Sequence, residues 1–220
     1  MVKVQLITLF PDVLSVYLDS SMLFKAKERG IVSYNIINLR EFGKGVRKQV
    51  DDTPYGGGDG MLLMVDPLVR AIEHAKTLDP NASVILPSPR GKTYNQAEAN
   101  NLAESSRGLI IICPHYEGYD ERVTNWVDAT YCIGGYVLTG GELPALVIVD
   151  SVVRLLPGVL GGASSAAIES FQDGNRVEFP QYTRPETYRG LKVPKVLLSG
   201  HHKEIEDWRK KQQLKSPFTS

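Results

Sequence analysis

Residues 128–156 read DATYCIGGYVLTGGELPALVIVDSVVRLL and join a strand to a helix through a glycine-rich loop. The sequence of residues 128–135 favours a strand. Residues 134–141 contain four glycines and are predicted as a loop, and Glu142 to Leu156 is predicted as a long apolar helix. This helix and its flanks are too apolar to be left in water on one small domain, so we expect them to form the interface of a homodimer.

Strand-like and helix-like segments alternate upstream of this stretch. The sequence predicts strands in VKVQLITLF, VSYNIINL, SVILPSP and GLIIIC, with a proline stop in the third, and helices over 14–30, 66–78, 94–106 and 119–127. Gly30 is the predicted end of the first helix; Asp66 and Pro67 are the predicted N-cap and first residue of the second. The alternation predicts an α/β fold with a mostly parallel sheet, in which the continuously apolar GLIIIC is buried on both faces.

Composition excludes several classes of protein. With 42% apolar and 23% charged residues among 220, the chain is neither disordered nor a coiled coil. No run approaches the roughly 18 apolar residues of a membrane span, and the N-terminus lacks a signal-peptide cleavage site. Cys113 and Cys132 lie in apolar runs without zinc-ligand spacing, so we expect no metal site and a reduced, cytoplasmic protein.

The charge is unevenly distributed along the chain. Residues 176–220 hold 10 Lys+Arg and 5 Asp+Glu, against 15 and 20 in residues 1–175. Gly, Ala and Ser dominate residues 157–175. We therefore predict an α/β domain over 1–160, a flexible linker over 161–175 and a small, basic helical domain over 176–220. This basic domain is either a solvated tail or a surface for a polyanion.

Three glycine- and proline-containing loops follow consecutive predicted strands: LPSPRGK, CPHYEGYDER and IGGYVLTGGELP. The carboxyl ends of parallel strands share one edge of a sheet, where ligands bind, although each loop alone is also compatible with an ordinary turn. Motifs for nucleoside triphosphates, dinucleotides and serine hydrolases are missing from the sequence. The ligand class that remains for this edge of the sheet is an adenosine-like cofactor without a triphosphate.

Several motifs then resemble one family, the bacterial tRNA (guanine-N1-)-methyltransferases of the knotted (SPOUT) class. They are PYGGGDGM (54–61), HYEGYDERV (115–123), YVLTGGELPA (136–145) with PGVLG (157–161), PQYTRPETYRG (180–190) and LLSGHHKEIEDWR (197–209). The resemblance implies methylation of N1 of guanosine 37, next to the tRNA anticodon, by S-adenosylmethionine. It also implies a deep trefoil knot at the cofactor site, a homodimer with shared active sites, and a magnesium ion of unknown position.

The resemblance also implies the cofactor contacts, many of them through backbone atoms. They are Leu86, Ser88, Pro89, Pro114, Tyr116, Glu117, Gly118, Ile133, Gly134, Gly135, Tyr136, Val137, Leu138, Gly140, Gly141 and Pro144. The chain departs from the usual family pattern at three positions. Pro114 stands where glycine is common and has no N–H to donate; Gly135 replaces an acid; Glu169 replaces an aspartate at the catalytic position.

The chemistry requires two kinds of catalytic group. Guanine N1 carries a proton, so its methylation needs a general base near N1 and a donor for the charge that builds on O6. We expect the Arg154 guanidinium to stabilise the charge on O6 and Glu169 to be the general base. The alternatives are an Arg154 ion pair with Asp150 and a solvated loop charge at Glu169, with Asp173 and Glu178 as other candidate bases.

The basic domain carries the candidate tRNA contacts. Its basic side chains are Arg184, Arg189, Lys192, Lys195, His201, His202, Lys203, Arg209, Lys210 and Lys211. They can follow the phosphates of the anticodon stem, while Tyr182 and Trp208 either stack on bases or pack in the core of the small domain. Two other functions fit the sequence: a knotted methyltransferase for another RNA or a ribose hydroxyl, and an RNA-binding protein without catalysis.

Overall fold

The computed structural model describes residues 1–105, 107–160, 170–171 and 176–215. The chain divides into two compact units, residues 1–161 and residues 162–220. The elements of the first unit, in chain order, are β1 (Val2–Thr8), α1 (Pro11–Leu18), α2 (Ser21–Glu28), β2 (Val32–Asn38), a 3-10 turn (Leu39–Phe42), β3 (Asp51–Asp52), β4 (Leu62–Leu63), α3 (Val65–Leu78), β5 (Ser83–Thr93), α4 (Gln96–Glu104), β6 (Leu109–Ile112), a 3-10 helix (Glu121–Trp126), β7 (Ala129–Cys132) and α5 (Glu142–Val153).

A five-stranded sheet in the order β2-β1-β6-β5-β7 forms the centre of the first unit. Every neighbouring pair in it is parallel, which confirms the predicted α/β class with a parallel sheet. Strand β6 lies in the middle, and its four residues are fully buried. Leu109 and Ile111 pack on the side of α1, α2 and α5, whereas Ile110 and Ile112 pack on the side of α3. Because helices cover both faces, the strand is apolar at every position.

The predicted helix over 14–30 is wrong in one respect, because the chain forms two helices there. Helix α1 ends at Leu18 and α2 begins at Ser21. The Ser20 hydroxyl donates to the Tyr17 carbonyl at 2.7 Å, so a short polar side chain takes a backbone acceptor at the break. The predicted end at Gly30 is confirmed: its φ is +67°, and the Ile31 N–H donates to the Ala26 carbonyl at 3.0 Å.

Two proline positions also differ from prediction. Helix α3 begins at Val65, with Met64 as its N-cap, so Asp66 and Pro67 lie inside the first turn and not at the N-cap and the first position. Proline is tolerated there because backbone N–H groups in the first turn have no intrahelical acceptor, so the missing N–H of Pro67 costs no hydrogen bond. Strand β5 continues through Pro87 to Thr93 instead of stopping. Its ladder with β7 is irregular between Pro87 and Lys92, and such an irregularity accommodates proline in a strand.

The remaining predicted helices of the first unit are shorter than expected. The segment predicted as a helix over 94–106 forms α4, and 119–127 contains only the 3-10 helix. Helix α5 ends at Val153, but the chain after it stays on the first unit. Val159 is 1% exposed, and an Arg29 guanidinium N–H donates to the Gly158 carbonyl at 2.8 Å.

The second unit contains β8 (Arg176–Val177), β9 (Thr187–Tyr188), β10 (Leu191–Lys192), α6 (Lys195–Leu198), α7 (His202–Gln212) and β11 (Leu214–Lys215). Residues 176–220 were expected to be helical, and α7 is the longest helix described there. The antiparallel pairs β9/β10 and β8/β11 were not predicted, because two-residue strands leave no periodicity to detect. Most of the predicted linker, residues 161–169 and 172–175, lies outside the described residues. Among the described helices, none has the length and apolar character needed to cross a membrane.

Candidate active site

Three loops line one cavity at the carboxyl ends of neighbouring strands. Strands β6, β5 and β7 lie side by side and point the same way, so their following loops meet at one edge of the sheet. The cavity has a volume of about 410 Å³ and is lined from 87–90, 114–119 and 131–144. A volume of this size suits a small organic ligand.

The structure brings the residues expected to contact the cofactor together, with two exceptions. All of them line the cavity except Leu86 and Gly135. Leu86 is fully buried in the apolar cluster on the α3 side of the sheet. A Cβ atom at Gly135 would meet no atom within 4 Å, so this residue lies in open space. The other lining residues were missed: Pro87, Arg90, His115, Tyr119, Glu121, Tyr131, Cys132 and Thr139.

The loops after β6 and β7 are in direct contact at Gly141. Its N–H donates to the Pro114 carbonyl at 2.7 Å, and a Cβ atom on Gly141 would overlap the Pro114 ring. Glycine is therefore required at 141 by close approach. The unusual proline at 114 loses a donor but keeps its carbonyl as the acceptor of this contact.

Two polar side chains, the buried Glu142 and the half-buried His115, lie close to Gly140. A Cβ atom on Gly140 would be 2.6 Å from Glu142 Oε2 and 3.1 Å from His115 Nδ1. Glu142 is 7% exposed, and its Oε1 accepts from the Thr8 hydroxyl at 2.7 Å. His115 Nδ1 is buried and has no hydrogen-bond partner among the described residues. A buried polar atom without a partner costs about 1–3 kcal/mol, so this one favours a ligand in the cavity.

Aromatic rings fix the position of His115. The Phe10 and Tyr116 rings both lie 4.9 Å from the imidazole, centroid to centroid, in edge-on contacts. The sequence places His115 next to Tyr116 but gives no sign that Nδ1 is buried without a partner. This residue was missed for that reason.

Burial keeps two tyrosine hydroxyls at the cavity wall and one thiol beneath it protonated. Burial raises the pKa of the Tyr131 hydroxyl to about 12, and a hydrogen bond to Glu98 adds to this effect. Burial, together with Asp51, also raises the pKa of Tyr116. Burial raises the pKa of the Cys113 thiol beneath the cavity, so it stays protonated and is no nucleophile. An exposed salt bridge joins Arg90 and Glu121 at the cavity wall, at 3.1 Å.

The proposed catalytic residues are described only in part. Arg154 is the half-buried C-cap of α5. Its alternative partner Asp150 accepts a hydrogen bond from the Tyr17 hydroxyl at 2.6 Å. Glu169 and the alternative base Asp173 lie outside the described residues. The other alternative, Glu178, uses its backbone N–H to donate to the Ser170 hydroxyl at 3.0 Å.

The candidate basic side chains of the second unit are exposed, as a polyanion contact requires. This holds for Arg184, Arg189, Lys192, Lys195, His201, His202, Lys203, Arg209, Lys210 and Lys211. Trp208 is half-buried and lies 6.4 Å from the Tyr182 ring, which leaves the tyrosine half-exposed. Within the described residues, no three His, Cys, Asp or Glu side chains converge as a metal site would require.

Known proteins are similar to this chain in both sequence and fold. The family described as tRNA (Guanine-1)-methyltransferase TrmD matches residues 2–219. The tRNA (guanine-N(1)-)-methyltransferases of Geobacillus kaustophilus and Halalkalibacterium halodurans are 49% and 52% identical, covering 98% and 97% of this chain and 88% and 87% of theirs. The crystal structure of tRNA (m1G37) methyltransferase from Aquifex aeolicus has a TM-score of 0.79 at 39% identity, covering 94% of this chain and 87% of that one. The chain belongs to the tRNA (guanine-1)-methyltransferase family.

Proposed function

We propose that this enzyme transfers a methyl group from S-adenosylmethionine to N1 of guanosine 37 of tRNA. The observation that carries the proposal is the near-complete match to a family of tRNA (guanine-1)-methyltransferases, which includes a solved tRNA (m1G37) methyltransferase. The cavity supports it, because most of the expected cofactor residues line one space. Since tRNA is the proposed substrate, we place the protein in the cytoplasm.

The cavity residues fit S-adenosylmethionine. Gly140 and Gly141 line the cavity where the loops after β6 and β7 meet, and His115, whose Nδ1 has no partner among the described residues, offers a polar contact. When bound, the cofactor supplies an electrophilic methyl group on a sulfonium, which needs no metal for its own activation. We assign no residues to the magnesium ion that the resemblance implies.

Arg154 and Glu169 carry the proton and charge chemistry in this proposal. The Arg154 guanidinium is always charged and presents planar donors, so it can hold the guanine O6 as negative charge develops there. The Glu169 carboxylate removes the proton from N1. Arg154 lies at the C-terminal end of α5, the helix whose N-terminal end lines the cavity with Gly141 and Pro144.

We further propose the trefoil knot that the family resemblance implies. Its support is the match to the family over residues 2–219, and the structure adds two close backbone approaches beside the cavity. Gly141 contacts Pro114, and a Cβ atom on Gly91 would be 2.6 Å from the backbone of Thr130 and Tyr131. Both approaches involve the chain segments that surround the cavity.

Residues 176–220 form the proposed tRNA-binding domain, and residues 161–175 the linker to it. Support comes from the net charge of +5 over 176–220 and from the exposure of its cations. Phosphate contacts of this kind position an RNA without reading its sequence.

We expect the protein to be a homodimer, because α1 and α5 leave apolar side chains in water. Val13, Val16, Leu143 and Val147 are 49%, 77%, 57% and 46% exposed. The two helices are neighbours, joined by the hydrogen bond from Tyr17 to Asp150. Light scattering at micromolar concentration should give twice the mass of the chain. A monomer at that concentration would contradict the proposal.

A methyl-transfer assay tests the proposed reaction. Unmodified tRNA with guanosine at positions 36 and 37 should gain one methyl group, which nucleoside mass mapping should place on guanine N1 of residue 37. Guanosine 37 replaced by adenosine is the matched control and should gain none. A methyl group on a ribose hydroxyl or on another nucleoside would favour the alternative knotted methyltransferase.

A further inference from the structure

Residues 44–49, the basic hairpin, project three cations from the first unit. The Lys44 N–H donates to the Gln49 carbonyl at 2.8 Å, and the Gln49 N–H donates back to the Lys44 carbonyl at 3.0 Å. The Lys48 N–H closes the turn on the Gly45 carbonyl at 3.1 Å. The side chains of Lys44, Arg47 and Lys48 are all exposed.

These three cations have no charge partner in the first unit. Within the described parts of the chain, none of their side chains forms a salt bridge or a hydrogen bond. The surrounding segment, residues 40–49, holds four Lys+Arg and one Asp+Glu, whereas residues 1–161 hold 15 and 18. The basic hairpin is therefore a local positive surface on an acidic unit, and such a surface attracts anions.

The base of the basic hairpin is held firmly. A Cβ atom on Gly43 would overlap the Lys48 carbonyl, so the two stems are in direct contact. Val50 is fully buried, and its carbonyl accepts from the Met64 N–H at 2.8 Å. An Arg70 guanidinium N–H from α3 donates to the Phe42 carbonyl at 3.2 Å. The cations thus start from a fixed backbone, which lowers the entropy lost on binding.

The basic hairpin adjoins the wall of the cavity. Strand β3 follows it directly and pairs with β4, where Asp51 is opposite Leu63. The Leu63 N–H donates to the Gly118 carbonyl at 2.9 Å, and the Glu117 N–H donates to the Met61 carbonyl at 3.0 Å. Both Glu117 and Gly118 line the cavity. One two-stranded ladder therefore connects the basic hairpin to the site.

We propose that the basic hairpin is an RNA-binding surface, separate from residues 176–220, that holds backbone phosphates next to the nucleotide entering the cavity. This inference rests on the proposed function. Unpaired lysine and arginine side chains suit phosphates, which position a nucleic acid in register. Because the basic hairpin lies beside the cavity, phosphates bound to it would fix the position of the base that enters the cavity. A cation far from the cavity would raise only the overall affinity for RNA.

The test compares two full-length double variants that each remove two exposed cations. Arg47→Gln with Lys48→Gln alters the basic hairpin. Lys25→Gln with Lys27→Gln alters α2, which packs on the other face of the sheet. Affinity for unmodified tRNA is measured by fluorescence anisotropy over a series of salt concentrations. The slope of log affinity against log salt should become flatter by about 1.4 in the hairpin variant, at roughly 0.7 per lost phosphate contact, and should not change in the α2 variant.

Two controls make the result specific to RNA contact. Calorimetry with S-adenosylmethionine should give the wild-type affinity in both variants, because neither changes a cavity residue. Arg47→Gln alone, which leaves the positive-φ residue Lys48 in place, should flatten the slope by about 0.7 and guards against a folding defect in the double variant.

An unchanged slope in the hairpin variants, or an equal flattening in the α2 variant, would overturn the proposal. The first result would also follow if the basic hairpin bound an acidic protein instead of RNA. Failure of the proposed function is a different result, since the wild-type enzyme would then methylate no guanosine 37 in the same tRNA.

Discussion

Glu169→Gln should lower the single-turnover rate of methyl transfer by about two to four decades. The amide keeps the shape of the side chain but cannot accept the N1 proton of guanine. The rate of the wild-type enzyme should likewise fall on acidification, because a protonated carboxyl is no base. Affinities for S-adenosylmethionine and tRNA should stay close to those of the wild type, since the substitution removes basicity and not a binding surface.

Arg154→Ala should slow the same step through loss of charge stabilisation at O6. Mixing this variant with Glu169→Gln then tests whether an active site is shared between subunits. If the two residues of one site come from different chains, a heterodimer holds one intact site and one doubly altered site, and part of the activity returns. A full single-turnover rate in Glu169→Gln at neutral pH would assign the base to another residue, with Asp173 the next candidate.

Gly140→Val should weaken S-adenosylmethionine binding on the order of ten- to a hundredfold. A Cβ atom at this position would press on Glu142 Oε2 and His115 Nδ1, at 2.6 Å and 3.1 Å. We expect the loop to relieve this overpacking by shifting out of its cofactor-binding position, so that binding must restore a strain of about 1–3 kcal/mol, and every 1.4 kcal/mol is tenfold in affinity. The added side chain thus acts first on the protein's own Glu142 and His115, and only through them on the ligand. Titration calorimetry measures the loss.

Two further variants separate this clash from a general effect of the loop. Gly135→Val is the matched control and should bind normally, since a Cβ atom there meets nothing within 4 Å and Gly135 does not line the cavity. In a His115→Ala background, part of the clash partner is gone, so Gly140→Val should cost less than it does in the wild type. Equal losses in both backgrounds, or undiminished affinity in Gly140→Val, would contradict the geometry.

The sequence was sufficient to predict the sheet and the place of the cavity, because both follow from local patterns. Continuous apolar character over Leu109–Ile112 indicated a strand covered on both faces, and loops after parallel strands must share an edge. The family motifs then selected most of the cavity lining. Gly135 is the exception in the glycine loop, since a motif gives its position in the chain but not the direction in which it faces.

Other features depend on contacts between distant residues, so no local pattern predicted them. His115 Nδ1 is buried without a partner among the described residues, in a loop where Phe10, distant in sequence, packs edge-on against the imidazole. Strand β5 can continue through Pro87 because its hydrogen-bonded ladder with β6 ends at Ile85, before the residue that has no N–H to donate. The basic hairpin was not predicted, because its three charges form no long run in the sequence. The proposed role depends on their position beside the cavity wall, which no local pattern gives.

The strand order of the sheet also constrains how the chain folds during synthesis. Strand β1 can pair with β2 once both strands have left the ribosome, but its other neighbour, β6, lies at residues 109–112. The edge of β1 therefore stays open while some seventy further residues are made. Long-range parallel pairing of this kind is slow, and an open apolar edge favours aggregation. Early chain termination between β2 and β6 should leave fragments that are insoluble or bound to chaperones.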